Sequence, residues 1–531
     1  MPITPQPSGS VSPPNTLAPE AEGAVSVPNT LAAEAAGTPS APNTLTAETV
    51  GAVAIPNTLT AETEGAPAIP NTLTPEAAGA VAIPNTLNAE AAGTPAVPNT
   101  LTSSDAATLP RTLCPTVSMN FAAGLYAQNG AAVTESSLLT YARGSSATFI
   151  DRQLGATGRW EYFLNTEATG NVKRTEYDAA TGENLGVLIE QASTNLLLRS
   201  EEFDNAAWTK SNAAVTADAV IAPDLTVTAD KFEAGSTAVI GPELSQALTV
   251  TATQKYTFSA FVKRSEASYI QMTWSGGQVA NNPRVNFDLT LGVLGSQDVD
   301  VEHASITPVG NDWFRISATV TAVGVALTNF LHMAQSATDA RASTNSWTAG
   351  QGLYVWGAQA EQSEVPTSYI ATIGATVSRL ADQLSIPVLG NVPSGDVSYI
   401  GDVRLTGDSL GAARFLYVAA DTGAGGLYTF VNSSGDLQTL NGGTFREIAA
   451  TGTYPNSFKF ATIFDSSVNT LTGFLNGVQT ITGDAGAPSF ADVAGVVGVG
   501  SSNLFTGHIN GHIKHLTIYD AALTANEVSQ L

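Results

Sequence analysis

From about residue 120 onward the chain is written in short runs in which apolar and polar side chains alternate, the period of a strand with one buried face. Residues 256–263 (YTFSAFVK) and 269–274 (YIQMTW) alternate cleanly, and Asn311-Asp312 reads as a turn feeding a strand over 313–320. Residues 353–361, 458–465, 471–478 and 496–500 carry the same pattern. Shorter pieces at 138–151, 174–178 and 185–190 read as paired short strands, with a turn at Thr181-Gly182-Glu183-Asn184. The pattern predicts a mainly all-β protein.

Before residue 120 the pattern changes. Pro-Asn-Thr-Leu begins seven times, at Pro14, Pro28, Pro42, Pro56, Pro70, Pro84 and Pro98, with a constant period of 14 residues. In six copies a Glu follows three residues after the Leu (Glu20, Glu34, Glu48, Glu62, Glu76, Glu90), and a Gly three residues later; the seventh copy decays to Ser104 and Ala107. Each unit offers one Leu, one or two Val or Ile and several Ala. One copy cannot offset its own ordering entropy, about 1–2 kcal/mol per residue for the backbone. The recurring Pro argues against long helices and central strands. A disordered acidic linker and an array ordered by partner chains both remain open, and the array is expected to space, tether or dock.

Composition narrows the function classes. Charged residues make up 13% of the 531 and the net charge is −25. A nucleic-acid binder needs clustered Lys and Arg, which are missing here. No run approaches the ~20 apolar residues that cross a bilayer. Cys114 is the only cysteine, so no internal disulfide framework is expected. The opening Met-Pro-Ile-Thr-Pro-Gln-Pro-Ser has neither the basic region nor the apolar core of a secretory signal.

Two passages are recognisable. Gly186-Val187-Leu188-Ile189-Glu190, then Thr194-Asn195-Leu196-Leu197-Leu198-Arg199-Ser200-Glu201-Glu202-Phe203 and Ala207-Trp208-Thr209-Lys210, resemble a module of phage and prophage tail-fibre proteins that also occurs in other bacterial surface proteins. Arg143, Ser145, Ala147 and Thr148 approximate the Arg-x-Ser-x-Ala-Thr strand that precedes it there, one residue out of spacing. The closing strand of that module is matched by Leu353–Glu361 and its tail by Pro366-Thr367-Ser368-Tyr369-Ile370; the resemblance covers roughly 130–380. Residues 381–531 resemble a concanavalin A-like, laminin-G-type sandwich, ending in a strand from Phe505 to Asp520 and a short helical cap. Thr524 with Glu527 makes a capping-box pattern.

These resemblances imply a tail 1–11, repeats 12–107 for docking or shaft, a β connector 108–190, a carbohydrate-binding jelly roll 191–380 and a second β-sandwich 381–531. They imply a virion tail-fibre protein, assembled in the host cytoplasm. It would contact other tail or baseplate proteins through the repeats and a host-surface glycan through the sandwiches. Tail fibres are usually homo-oligomers, trimers above all. A bacterial adhesin built of the same modules is one alternative. A polysaccharide-degrading enzyme that keeps its binding modules is another. The first reading makes the chain a non-enzyme without membrane insertion.

An aromatic ring can cover the apolar face of a sugar, so tryptophans are the first candidate contacts. Trp313 and Trp356 lie inside strand phrases and are expected in the core. Trp274 stands at a strand end and Trp347 in a Ser/Thr/Asn-rich loop, so both are expected to be exposed and ligand-binding, joined by Tyr269, Arg284 and Asn345. Asp298, Asp300 and Glu302 alternate, which would put three carboxylates on one strand face, a solvated surface or a Ca²⁺ site. No other cofactor is suggested. His508, His512 and His515 would suggest zinc on a helix, but their surroundings read as strand.

Overall fold

The computed structural model describes the backbone of eight short strands between residues 30 and 101, and residues 115–530 apart from short segments, the longest within 407–413, 420–426, 451–455, 485–495 and 502–506. The tail 1–11, Cys114, Phe505 and Thr506 lie outside the described residues. The chain divides into two compact units, 1–113 and 114–531.

In the first unit each described Thr-Leu pair opens a strand. Thr30–Ala35 pairs in parallel with Thr58–Thr63, and that with Thr86–Ala91. Thr44–Thr49 pairs likewise with Thr72–Ala77, and that with Thr100–Leu101. Partners such as Thr30 and Thr58 stand two repeats apart, so alternate copies stack in register within one chain. In sequence the proline of each motif stands two residues before the first residue of its strand. Pro75 lies inside the inner strand Thr72–Ala77, so the expected exclusion of proline from central strands does not hold.

The second unit is two β-sandwiches. The first, within 191–380, has two six-stranded antiparallel sheets. Lys255–Arg264 runs between Trp313–Thr321 and Gly352–Glu361 in one sheet, and Tyr269–Trp274 between Ala326–Ala334 and Arg284–Asp288 in the other. Their inner faces close on Phe258, Ala260, Ile270, Met272, Ile316 and Leu331, all 0–1% exposed.

The second sandwich packs a ten-stranded sheet on a seven-stranded one. Gly511–Tyr519 lies at its centre, flanked by Val397–Leu405 and by strands from far upstream, Val117–Asn120 and Asn184–Ile189. Val117, Met119, Val187 and Ile189 are fully buried in its core. From residue 117 the stretch expected as a connector therefore supplies strands to this sandwich, and the first sandwich sits between the two halves of its chain. Gly186 makes the approach possible: its φ is +89°, and a Cβ there would stand 2.1 Å from the Ile513 carbonyl oxygen. The predicted capping box is present on the helix Ala525–Ser529, with Thr524 accepting from the Glu527 amide. No described helix is long and apolar enough to cross a membrane.

A hairpin, Ala147–Leu154 with Trp160–Glu167, bridges the two sandwiches. It lowers Leu164 onto the outer face of the first sandwich, against Phe261, Trp313, Trp356 and Tyr369. Trp313 and Trp356 are buried as expected, but in this small outer core rather than between the sheets.

At the joint, residues of the recognisable phrases meet in one buried ionic cluster. Asp382 accepts from Arg143 Nη1 at 3.1 Å, Arg174 Nη2 at 2.5 Å, the Tyr141 hydroxyl and the Glu190 amide at 2.9 Å. Glu190 pairs with Arg174 at 2.8 Å and Arg379 at 3.6 Å and accepts from Ser368 Oγ and its amide. Thr148 donates to the Tyr369 carbonyl at 2.9 Å, and its own carbonyl accepts from Arg174. The Arg, Thr, Glu and Ser-Tyr of the recognised phrases thus build the joint between the sandwiches rather than a ligand site.

Burial opposes ionisation of Glu190, but Arg379, Arg174 and the Ser368 donors outweigh it and hold its carboxyl far below the usual range. A depressed folded-state value contributes stability that is complete above the unfolded value, about 4.3. That contribution drains away as pH falls toward the folded value. Melting temperatures of the parent should therefore drop as the pH is lowered below about 5. Glu190→Gln should be less stable at neutral pH, and the gap should narrow in acid. A gap that stays constant from pH 7 to pH 3 would contradict this.

Candidate functional site

The structure removes the expected tryptophan site. Trp274 shares its inward parity with Ile270 and Met272, is fully buried, and donates from Nε1 to Asn329 Oδ1 at 2.9 Å. Trp347 folds back into the same core, 5% exposed. The polar company of Trp347 in sequence hid the apolar space beneath the loop.

Arg284 and Asn345 do come together, but on protein rather than on open surface. Arg284 pairs with Asp298 and donates from Nε to the Asp339 carbonyl at 2.7 Å, while Asn345 Nδ2 donates to Asp339 Oδ2 at 2.5 Å. Gln271 and Asn286, buried on the same sheet face, donate to carbonyls of Ala340 and Asp339. They tie down the backbone at Asp339 and Ala340. Tyr269 lies half-buried on that strand, at its far end from Trp274.

The three alternating carboxylates do not share a strand face either. Residues 298–302 connect Val293–Gln297 of one sheet to His303–Gly310 of the other, so Val299 is 90% exposed while Val301 is buried. Each carboxylate is engaged: Asp298 by Arg284, Asp300 by Asn281 at 2.8 Å, Glu302 by Lys255 at 2.8 Å. Among the described residues no group of three His, Cys, Asp or Glu is placed to hold a metal ion. His512 bonds Glu176 at 2.6 Å and His515 meets Ser118 and Thr517.

A cleft of about 420 Å³ opens elsewhere, between the hairpin and both sandwiches. Its floor is the outer face of the first sandwich. There the strands His303–Gly310 and Trp313–Thr321 pair antiparallel, with Ser305 opposite Ser317 and Thr307 opposite Arg315. Alternation puts Ile316, Ala318 and Val320 in the inter-sheet core and turns Arg315 and Ser317 the other way. Ser259 continues the row, paired with Ser317. The walls are apolar and aromatic: Phe149 and Tyr177 from the hairpin side, Pro308, Pro366 and Tyr369 from the first sandwich. Arg404, Asn510 and His512 of the second sandwich close the far end.

The charges of the cleft are unevenly matched. Glu176 binds His512 and accepts from the Ile150 amide; Asp178 lies 3.4 Å from Arg404; Glu190 belongs to the joint. Among the described residues the Arg315 side chain makes one hydrogen bond, from Nη2 to Ser259 Oγ at 3.0 Å, and its guanidinium stands 5.4 Å from the Phe261 ring. Its Nε is buried without an acceptor. Burial pulls its pKa down, and Glu361, Glu190 and Glu176 recover only part of that. In Arg174 burial acts the same way, yet Asp382 and Glu190 reverse it and raise the value.

Trp160 is the tryptophan that the structure leaves open, 51% exposed on the hairpin, with Arg152 stacked 4.1 Å from its ring and 4.3 Å from that of Tyr177. Neither Trp160 nor Arg315 stood out in the sequence. For Arg315 the signal was present: the parity of 313–320 sets Arg315 with Ser317 against Ile316 with Ala318.

No family pattern matches the chain, and no curated protein matches its sequence. Solved structures resemble parts of it. The Ruminococcus gnavus IT-sialidase CBM40 bound to α2,3-sialyllactose matches at 16% identity over 27% of this chain and 86% of its own, with a TM-score of 0.22. The NanB sialidase of Streptococcus pneumoniae matches at 15% over 28% of this chain and 26% of its own, TM-score 0.23. A SAP-like pentraxin from Limulus polyphemus matches at 13% over 25% of this chain and 68% of its own, TM-score 0.19.

Proposed function

We propose that this chain is a virion tail-fibre protein that recognises a host-surface glycan without cutting it. The cleft between the sandwiches carries the reading. A hydroxyl row beside a guanidinium, walled by aromatic rings and prolines, offers hydrogen bonds to sugar hydroxyls and flat surfaces to sugar faces. The repeats support it from the other end: copies that stack in register within one chain suit a spacer joining a tail to a binding head. The resemblance of the joint phrases to tail-fibre modules points the same way. In this reading the chain works as a homo-oligomer, a trimer above other orders, seated on baseplate or tail proteins.

Purified protein should attach to host cells and leave their polysaccharide at full length in a reducing-sugar assay. Steady depolymerisation abolished by Asp298→Asn, Asp300→Asn or Glu302→Gln would reverse the assignment to an enzyme. Antibody labelling should place the chain on the fibres of purified virions. Label on the bacterial envelope in the absence of phage would make it an adhesin.

A further inference from the structure

The cleft holds one cation that its own protein leaves unanswered. Each carboxylate in the lining already has a partner: Glu176 in His512, Asp178 in Arg404, Glu190 in Arg174 and Arg379. Arg315 has no carboxylate within ion-pair distance among the described residues, and one serine hydroxyl takes a single one of its five donors. A partly buried guanidinium left in this state is costly unless something supplies an anion. The fixed planar fork of Arg matches a carboxylate better than any other charged side chain does. Around it the floor offers the Ser305 and Ser317 hydroxyls, which bond each other at 2.8 Å, and the exposed Thr307 directly across the ladder.

We propose that the cleft takes an acidic saccharide and that Arg315 binds its carboxylate, the serine and threonine hydroxyls meeting neighbouring sugar hydroxyls. This rests on the glycan-binding reading above and narrows it to one class of sugar. The chain as a whole is strongly acidic, so an anionic ligand approaches against its net field. Recognition must then come from contact in the cleft rather than from long-range steering, and salt screens the opposing net field beyond about 8–10 Å.

The test needs no variant in its first arm. The full chain is titrated against an immobilised panel of uronic-acid oligosaccharides, each paired with its methyl ester, and against neutral oligosaccharides of the same length. Esterification removes the charge and keeps the shape. The acidic members should bind, and their esters should bind about tenfold more weakly or worse, as expected for losing a hydrogen bond to a charged group. In a second arm Arg315→Lys should lose most of this preference and Arg315→Met all of it, with thermal melts run beside the titrations. Equal binding of acid and ester by the parent overturns the acidic class while leaving glycan binding in place. Binding of neutral sugars alone does the same. No binding to any member by folded parent protein that still attaches to cells overturns both readings.

Discussion

Asp382→Ala should destabilise the second unit by about 3–5 kcal/mol, the cost of removing one partner from a buried ion pair. Asp382 and the side chains of Arg143 and Arg174 are wholly buried, and Arg379 is 1% exposed. Three guanidinium groups share two carboxylates there, and each arginine keeps one buried nitrogen without an acceptor. With Asp382 gone, three cations would face Glu190 alone. The loss also releases the Glu190 amide and the Tyr141 hydroxyl, whose pKa burial and Asp382 now raise. Because the cluster joins residues 141–148, 174, 190, 368 and 379–382, both sandwiches should loosen together in a single earlier transition. Urea melts followed by tryptophan fluorescence would show this. The control is Asp298→Ala, whose pair with Arg284 is partly exposed and should cost under about 1 kcal/mol. Equal losses in the two variants would refute the joint.

Trp274→Ala should cost a similar amount, about 3–5 kcal/mol, as for any large aromatic removed from a packed core. It empties the space beside Met272 and leaves the Asn329 carbonyl without its donor. The loss of cell binding should follow the loss of fold and nothing more. Trp160→Ala, at an exposed ring, should melt within about 0.5 kcal/mol of the parent. If Trp274→Ala melts normally yet fails to bind, the tryptophan is a ligand contact after all and the inward parity of its strand is wrong.

Much of this architecture is local and therefore legible in the chain. The alternating phrases became strands, the Asn311-Asp312 turn adopts φ values of 51° and 61°, and Thr524 caps its helix. Burial was legible where a tryptophan sat inside an alternating phrase, as Trp313 and Trp356 do. It failed at Trp274 because a strand end suggests exposure, whereas the parity shared with Ile270 and Met272 turns the ring inward. It failed at Trp347 because a polar loop can still fold one ring inward. What no local pattern announces is pairing across great sequence distance. Val187 opposite Ile513 and Arg174 on Asp382 are set by closure of the second sandwich around the first. The cleft follows from that closure, so its residues lie scattered along the chain from Thr148 to His512.

In the proposed function the cleft is the receptor site. Thr307 is exposed on its floor and stands opposite Arg315 on the ladder. Thr307→Trp should fill the cleft and leave the melt unchanged. Equilibrium binding of this variant to host cells, beside the parent, is the most direct measurement. A fall of about tenfold or more at unchanged melting temperature is the predicted result; binding equal to the parent would place the receptor site elsewhere.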